Sequence, residues 1–523
     1  MIDNGSNAPE NDLTGQKRII WNIMSSWGGH MVFVVAGFLM PRMIDRHVGQ
    51  TSLGLWDFAW SLVSYFGLAG LGIGSSVNRY VAKLRAAGDK EGLDEAISSV
   101  YCVQVVVATV IGIMTVATVV YLPHFFKEHP GTELADARWV LGLLGASLAV
   151  QQAFDAFRGV MTGCHRWDLH NAINSISYGI TVVFMLILLS LGYGLRSLAT
   201  VYLVVGIATE FYRYLAARRI CPELEIGIGK ATWKQARNML SFGLKTVVVG
   251  LPGLIIAQGS CLLVARHLGP AMLAVFSRPI GLIRNAQTFI NKYALVLTPT
   301  AGSLQGAGLD REIRNLMTRT TRYSVALTMP IVLFLSIMGG PLLQLWMGPR
   351  YDAALVMAIL VIGGFLPLTQ LSVMTILVGM DAHGTIGSLN FALSLATMGI
   401  GAVVFHYTGW SLVGSSLLIA AFGTAHGIST LLFTCFRFDI SLGRYLRESF
   451  LGPMAAGVPL AIALAAVHYI FALRPLIALM VGCAVSGVIL APIYWKYFLP
   501  KDLKSGIRRL PWVGGTIRKL EIT

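Results

Sequence analysis

The chain has 523 residues, of which 55% are hydrophobic and only 12% charged, with 40 Lys and Arg against 25 Asp and Glu for a net charge of +15. Soluble domains carry about 25% charged residues, so this composition, with a mean hydropathy of +0.68, excludes an ordinary soluble enzyme and points to an integral membrane protein. In a soluble chain the positive excess would suggest nucleic acid; here its distribution along the chain supplies a different explanation, and no nucleic-acid partner is implied.

Residues 1–18 are polar, end in Lys17 and Arg18, and lack a signal-peptide core, so the first apolar span is expected to stay as an uncleaved anchor. A bilayer crossing needs about 20 mostly apolar residues. On that criterion fourteen helical spans are predicted, at 19–41, 53–76, 97–122, 139–160, 172–192, 198–215, 240–265, 271–300, 323–346, 353–379, 385–407, 411–434, 450–472 and 475–498. The first and eighth are polar in places. The glycines at 67, 70, 72 and 74 in the second span predict close helix packing or a bend.

With the N-terminus inside and the spans alternating, 28 of the 40 Lys and Arg fall on inside segments and 8 on outside segments. This positive-inside bias places both termini in the cytoplasm. The basic tail 499–523, with apolar residues interleaved, is expected to lie on an anionic inner leaflet. None of the six cysteines forms a CxxC pair, which argues against a metal site or disulfide framework. No hydrolytic signature appears, and Gly227-Ile-Gly-Lys-Ala-Thr232 is not a phosphate loop, because the leading glycine and the Ser or Thr after the lysine are missing. No cofactor is expected.

The remaining four cations, Lys245, Arg278, Arg284 and Lys292, lie within spans. An ionised group near the bilayer centre costs roughly 2.5–3.5 kcal/mol on insertion scales, so the three in span 271–300 cost about 8 kcal/mol uncompensated. Arg278, Asn285 and Lys292 are spaced seven and seven, which puts them on nearly one helix face, with Arg284 elsewhere. These five residues form the candidate anionic-substrate site, since Arg and Lys both suit phosphate. The competing reading is internal pairing with Asp57, Asp155 or Glu210, or snorkelling toward the interface. Those three acids are the candidate coupling or counter-ion groups. Asp155 with Arg158, and Glu210 with Arg213, are spaced for intrahelical pairs, and Asp57 shares a polar helix face with Ser61 and Ser64.

The chain also repeats itself. Arg46-His-Val-Gly49 matches Arg266-His-Leu-Gly269 at an offset of 220, where Trp56 also meets Phe276 and the loop 83–88 meets 303–308. Both copies start inside, so the repeat is parallel, as in transporters that rock one lobe against the other. The expected organisation is an N-terminal tail (1–18), an N-lobe of six helices with its following loop (19–237), a six-helix C-lobe (238–436), two further helices (437–498) and the basic tail (499–523). Arg278 corresponds to Phe58 in the first copy, so the cationic face belongs to one copy alone.

The run from Arg46 to Ala82 (Arg-His-Val-Gly, then Leu-Gly-Leu-Trp, Gly-Leu-Gly-Ile-Gly and Asn-Arg-Tyr-Val-Ala), followed by Ala-Gly-Asp at 87–89, resembles the opening of oligosaccharide flippases. These are the polysaccharide transporter branch of the multidrug/oligosaccharidyl-lipid/polysaccharide exporter superfamily. The resemblance implies an all-α polytopic membrane protein with a V-shaped, two-lobed, MATE-like fold that is not an enzyme. It implies movement of undecaprenyl-diphosphate-linked oligosaccharide from the inner to the outer leaflet of a bacterial cytoplasmic membrane by alternating access, with membrane lipids, a polysaccharide polymerase and export machinery as partners. Its cationic cavity maps onto Lys245, Arg278, Arg284 and Lys292. The rival readings are a cation-coupled multidrug exporter, a lipid II flippase and, from another class, a membrane polysaccharide polymerase or ligase.

Overall fold

The computed structural model describes residues 16–70, 73–126, 132–294, 297–471, 473–498 and 504. Among these residues the secondary structure is helical, with no strand. The helices are α1 (Gln16–Val48), α2 (Gln50–Phe66), α3 (Ile73–Ala86), α4 (Lys90–Phe125), α5 (Thr132–Gly163), α6 (Trp167–Ser190), α7 (Leu195–Ile220), α8 (Trp233–Leu268), α9 (Pro270–Ala294), α10 (Leu297–Gly306), α11 (Asp310–Met347), α12 (Ala354–Thr369), α13 (Leu371–Gly379), α14 (Gly384–Thr408), α15 (Leu412–Arg437), α16 (Leu442–Leu446), α17 (Gly452–Ala465) and α18 (Pro475–Tyr497). Each of the fourteen expected spans corresponds to one helix or to a broken one. The second span tightens into a 3₁₀ turn at Gly67–Gly70 before α3, in the glycine-rich stretch where a bend is predicted. Among the described residues, 11 helices are long and apolar enough to cross a membrane. The three spans outside that set are α1, α2 with α3, and α9 with α10.

The internal repeat extends further in backbone than in sequence. α2 and α9 start, α3 and α10 end, and α4 and α11 start at positions 220 residues apart. The corners recur as well. Gly49 (φ 98°) and Gly269 (φ 86°) turn the chain into α2 and α9, and Gly88 (φ 68°) and Gly308 (φ 67°) into α4 and α11. Farther along, Gly192 (φ 85°) and Gly409 (φ 79°) stand 217 apart, and His165 (φ 57°) and Asp381 (φ 53°) stand 216 apart. Left-handed backbone of this kind favours glycine because a Cβ crowds the following carbonyl.

By contact the chain forms two compact units, Met1–Ser277 and Arg278–Thr523. In the first, α5 packs against α4 and α7, α1 against α6, and α8 against α2, α3 and α4. Its core joins Val77, Val81, Ile97, Phe157, Val160 and Met161. Lipid tails are as apolar as leucine, so helices in a bilayer associate by close van der Waals fit and small residues. A Cβ on Gly54 would come 1.7 Å from the Pro270 carbonyl oxygen, so the start of α9 rests directly on α2. The segment between α7 and α8 is pinned to the first turns of α4. Asp94 accepts from the Glu225 N–H (2.8 Å) and from Lys230 (2.7 Å), and Ser99 accepts from the Thr232 N–H (2.8 Å).

In the second unit, α12 lies against α15 and α11, and α11 also carries α17 and α18. A Cβ on Gly363 would lie 2.4 Å from the Cα of Ala420, and one on Gly427 would lie 2.4 Å from the Cβ of Leu366, so the α12–α15 contact is made backbone to backbone. Met338, Leu460, Leu464 and Leu479 bind α17 and α18 to α11. π-helical turns at Arg447–Leu451 and Ala466–Ile470 flank α17.

Candidate functional site

Two polar places stand out against this apolar scaffold. The first is α9, in the second unit from Arg278 onward. Arg278 is 5% exposed, and its guanidinium lies 6.0 Å from the ring of Trp346 on α11. Cation–π contacts of this kind strengthen when desolvated. Pro279 follows it inside the helix and removes one backbone donor there. Asn285 and Lys292, on the face that the spacing predicts, are half-buried, while Arg284 is exposed. The face therefore grades from buried to accessible along the helix, with Arg284 apart from it. The side chain of Lys245, in α8, lies outside the described residues.

The second place is in the first unit, where α1, α5, α6 and α7 enclose a pocket of about 200 Å³. α1 contributes Phe33 and α5 Gln151; α6 contributes Asn174, Ser177, Tyr178 and Thr181; α7 contributes Tyr202, Val205, Gly206, Thr209, Glu210 and Arg213. The ionic part is closed on itself. Arg213 donates from Nη1 to both carboxylate oxygens of Glu210, at 2.6 and 2.7 Å, and from Nη2 to Oδ1 of Asn174 at 2.7 Å. Asn174 continues to a ring nitrogen of His170 at 3.1 Å. Asp155, one helix away, is ion-paired with Arg158 and accepts from the Gln104 amide at 3.4 Å, while the Gln104 carbonyl accepts from the Ala156 N–H at 2.7 Å.

The neutral part of the wall has a different character. The Thr209 and Ser177 hydroxyls are 2.8 Å apart, the Tyr202 phenol meets the Gln151 amide, and Tyr178 stacks on Phe33 with ring centroids 4.3 Å apart. Arg213, although 6% exposed, has an Nε with no hydrogen-bond partner, and His170, 8% exposed, has an Nδ1 in the same condition. A buried N–H without a partner carries a desolvation penalty of about 1–3 kcal/mol that a ligand or water can relieve.

Of the acids singled out in the sequence, Asp155 and Glu210 thus each face an arginine on their own helix. Asp57 sits half-buried on α2, with the Ser61 hydroxyl donating to its backbone carbonyl at 3.0 Å. Sequence reasoning did not single out Asn174, Ser177, Tyr202, Thr209, Gln104 or His170. The one available signal was an isolated polar residue inside an apolar span, which also describes many buried hydroxyls that simply bond their own helix. Among the described residues, no three His, Cys, Asp or Glu side chains converge as a metal site would require.

A family model described as "Polysaccharide biosynthesis protein" matches residues 86–356. No curated protein matches the chain in sequence. Solved structures share its fold. An inward-facing multidrug resistance MATE family transporter of the MOP superfamily superposes with a TM-score of 0.67 at 15% identity, over 81% of this chain and 99% of that one. The lipid II flippase MurJ, in an inward closed conformation, gives 0.67 at 11% identity over 93% of this chain and 100% of its own. A MOP superfamily transporter from Pyrococcus furiosus, described as having a binding pocket of reversed polarity, gives 0.62 at 17% identity, over 82% and 97%. The fold is that of the MATE-like transporters.

Proposed function

Because the chain belongs to the polysaccharide biosynthesis protein family, we propose that it is a flippase for lipid-linked oligosaccharide. In this reading it carries undecaprenyl-diphosphate-linked repeat units from the inner to the outer leaflet of a bacterial cytoplasmic membrane, with both termini in the cytoplasm, and hands them to a polymerase and export machinery. Alternating access moves the polar head, while the polyprenyl tail stays in lipid.

The observation that carries this reading is Arg278, a guanidinium 5% exposed in a helix expected to span the bilayer, on one face with Asn285 and Lys292. Intramembrane cations are expensive and mark substrate or ion pathways. A lipid diphosphate is the anionic headgroup such a set would neutralise, with Arg284 and Lys245 assigned to it from their sequence positions alone. A cation-coupled drug exporter would instead use acids open to a cation, and Asp155 and Glu210 are each occupied by an arginine three residues on. The transporter-like fold favours a flippase over a polymerase or ligase.

The test is charge reversal. Arg278→Glu with Arg284→Glu should abolish export of the surface polymer in cells while the protein remains in the membrane at normal level. Undiminished export would refute the assignment. Complementation of a strain depleted of its lipid II flippase separates polymer export from cell-wall precursor transport.

A further inference from the structure

We propose that the pocket between α1, α5, α6 and α7 seats one sugar ring of the transported headgroup; the proposal rests on the flippase reading above and adds a second point of contact to it. Size comes first. At about 200 Å³ the pocket is smaller than the 300–1,000 Å³ of drug-sized ligand sites. That volume suits a single ring, with the rest of a repeat unit lying outside the pocket.

Chemistry narrows the ligand further. Glu210 and Arg213 both line the pocket, yet each is neutralised by the other at 2.6 Å, so the wall offers no net charge to a phosphate or a cationic drug. What remains are uncharged polar groups: the amide of Asn174, the hydroxyls of Ser177 and Thr209 and the phenol of Tyr202, all on half-buried residues, which bond within the protein and keep a further donor or acceptor position each for a ligand. Beside them stand the ring of Tyr202 and that of Tyr178, one face of which is covered by Phe33, and an electron-rich aromatic face favours the polarised C–H groups of a pyranose. Hydroxyl and amide groups beside aromatic faces, with the ionic groups internally paired, are what a neutral polyhydroxylated ring requires. A site built to hydrogen-bond such a ring rejects analogues lacking the hydroxyls more strongly than a hydrophobic pocket rejects a change of size.

The experiment uses the full-length protein in lipid nanodiscs and a panel of free sugars as probes: hexoses, N-acetylhexosamines, 6-deoxyhexoses and hexuronic acids, up to tens of millimolar. Binding is read by saturation-transfer-difference NMR. At least one of the three neutral classes should bind saturably, and more tightly than the hexuronic acids. Tyr202→Phe, which removes one hydrogen-bonding group, should weaken that binding about fivefold. Ser177→Leu, which fills the pocket, should remove it, and Gly364→Ala in the second unit should leave it unchanged. Thermal unfolding of each variant checks that the fold survives; if Ser177→Leu unfolds, Ser177→Ala and Tyr202→Phe carry the comparison.

No binding by any class, equal binding by the pocket variants, or displacement of bound sugar by the lipophilic cation tetraphenylphosphonium would overturn the proposal. Translocation of lipid-linked oligosaccharide in proteoliposomes is scored separately. Translocation without pocket-dependent sugar binding sinks the pocket alone. Pocket-dependent sugar binding without translocation sinks the flippase reading and, with it, the link to a transported headgroup, and leaves only a sugar site.

Discussion

Replacing Glu210 by Leu tests whether the ion pair in the pocket wall is a structural unit. Glu210 and Arg213 are 3% and 6% exposed, and Arg213 reaches both carboxylate oxygens from one nitrogen and Asn174 from another. Without the carboxylate, a buried guanidinium keeps only an amide oxygen as hydrogen-bond partner, and breaking a buried pair in this way costs about 3–5 kcal/mol. Arg213→Leu should cost a similar amount, since it strands the carboxylate and takes the donor from Asn174. With both replaced, no charge is left buried. The remaining loss is the unmet acceptor on Asn174, about 1–3 kcal/mol. The double mutant should therefore be more stable than either single one, with a coupling of at least about 3 kcal/mol. Denaturant unfolding of the four proteins in mixed micelles closes the cycle. If the two single effects simply add in the double mutant to within about 0.5 kcal/mol, the pair is not the unit described here.

Three further outcomes follow from particular contacts. Gly363→Ala should weaken the α12–α15 contact, because its Cβ would meet Ala420 backbone at 2.4 Å, whereas Gly364→Ala, with nothing within 4 Å, should be neutral or gain up to about 1 kcal/mol from helix propensity; thermal midpoints of the two neighbours decide it. Gln104→Leu should cost about 1–3 kcal/mol in the same unfolding assay, since it strips the Ala156 N–H and the Asp155 carboxylate of a buried partner. The pinned segment 221–232 should be pH-sensitive at both ends. Hydrogen bonds from Lys230, then from Lys90, hold the Glu225 carboxyl below its usual range, so its contribution is present above the unfolded value of about 4.3 and disappears as pH falls through the lowered one. Asp94, then Glu225, raise the Lys230 ammonium, whose contribution is complete below the unfolded value of about 10.4 and fades as pH climbs through the raised one. Hydrogen exchange in 221–232, corrected for intrinsic rates, should be slowest between these limits; a flat profile would contradict the pinning.

The helices were legible because each span is a long apolar run, and a chain in lipid must satisfy its backbone hydrogen bonds internally. The interruption at Gly67–Gly70 was legible from its glycines. The repeat could be followed only to the loops 83–88 and 303–308, since beyond them the two halves share corners but few side chains. His165 and Asp381, for instance, hold the same left-handed backbone with unrelated residues. The cations of α9 were visible because charge in an apolar run is conspicuous. The pocket in the first unit was not. Phe33, Gln151, Ser177 and Tyr202 come from four helices spread over some 170 positions of sequence, and no spacing rule links them. Only packing decides that they face one another.

The recurring corners have a consequence for how the two halves divide their labour. Counting 217 residues on from the pocket's ion pair, Glu210 becomes Gly427 and Arg213 becomes Thr430, and at Gly427 the neighbouring helix has moved in where a carboxylate would otherwise need room. A duplicated backbone has thus been kept while its upholstery diverged, one half opening a niche at the place where the other presses two helices together. Specialisation of this kind asks for changes at a few lining positions and none at the bends.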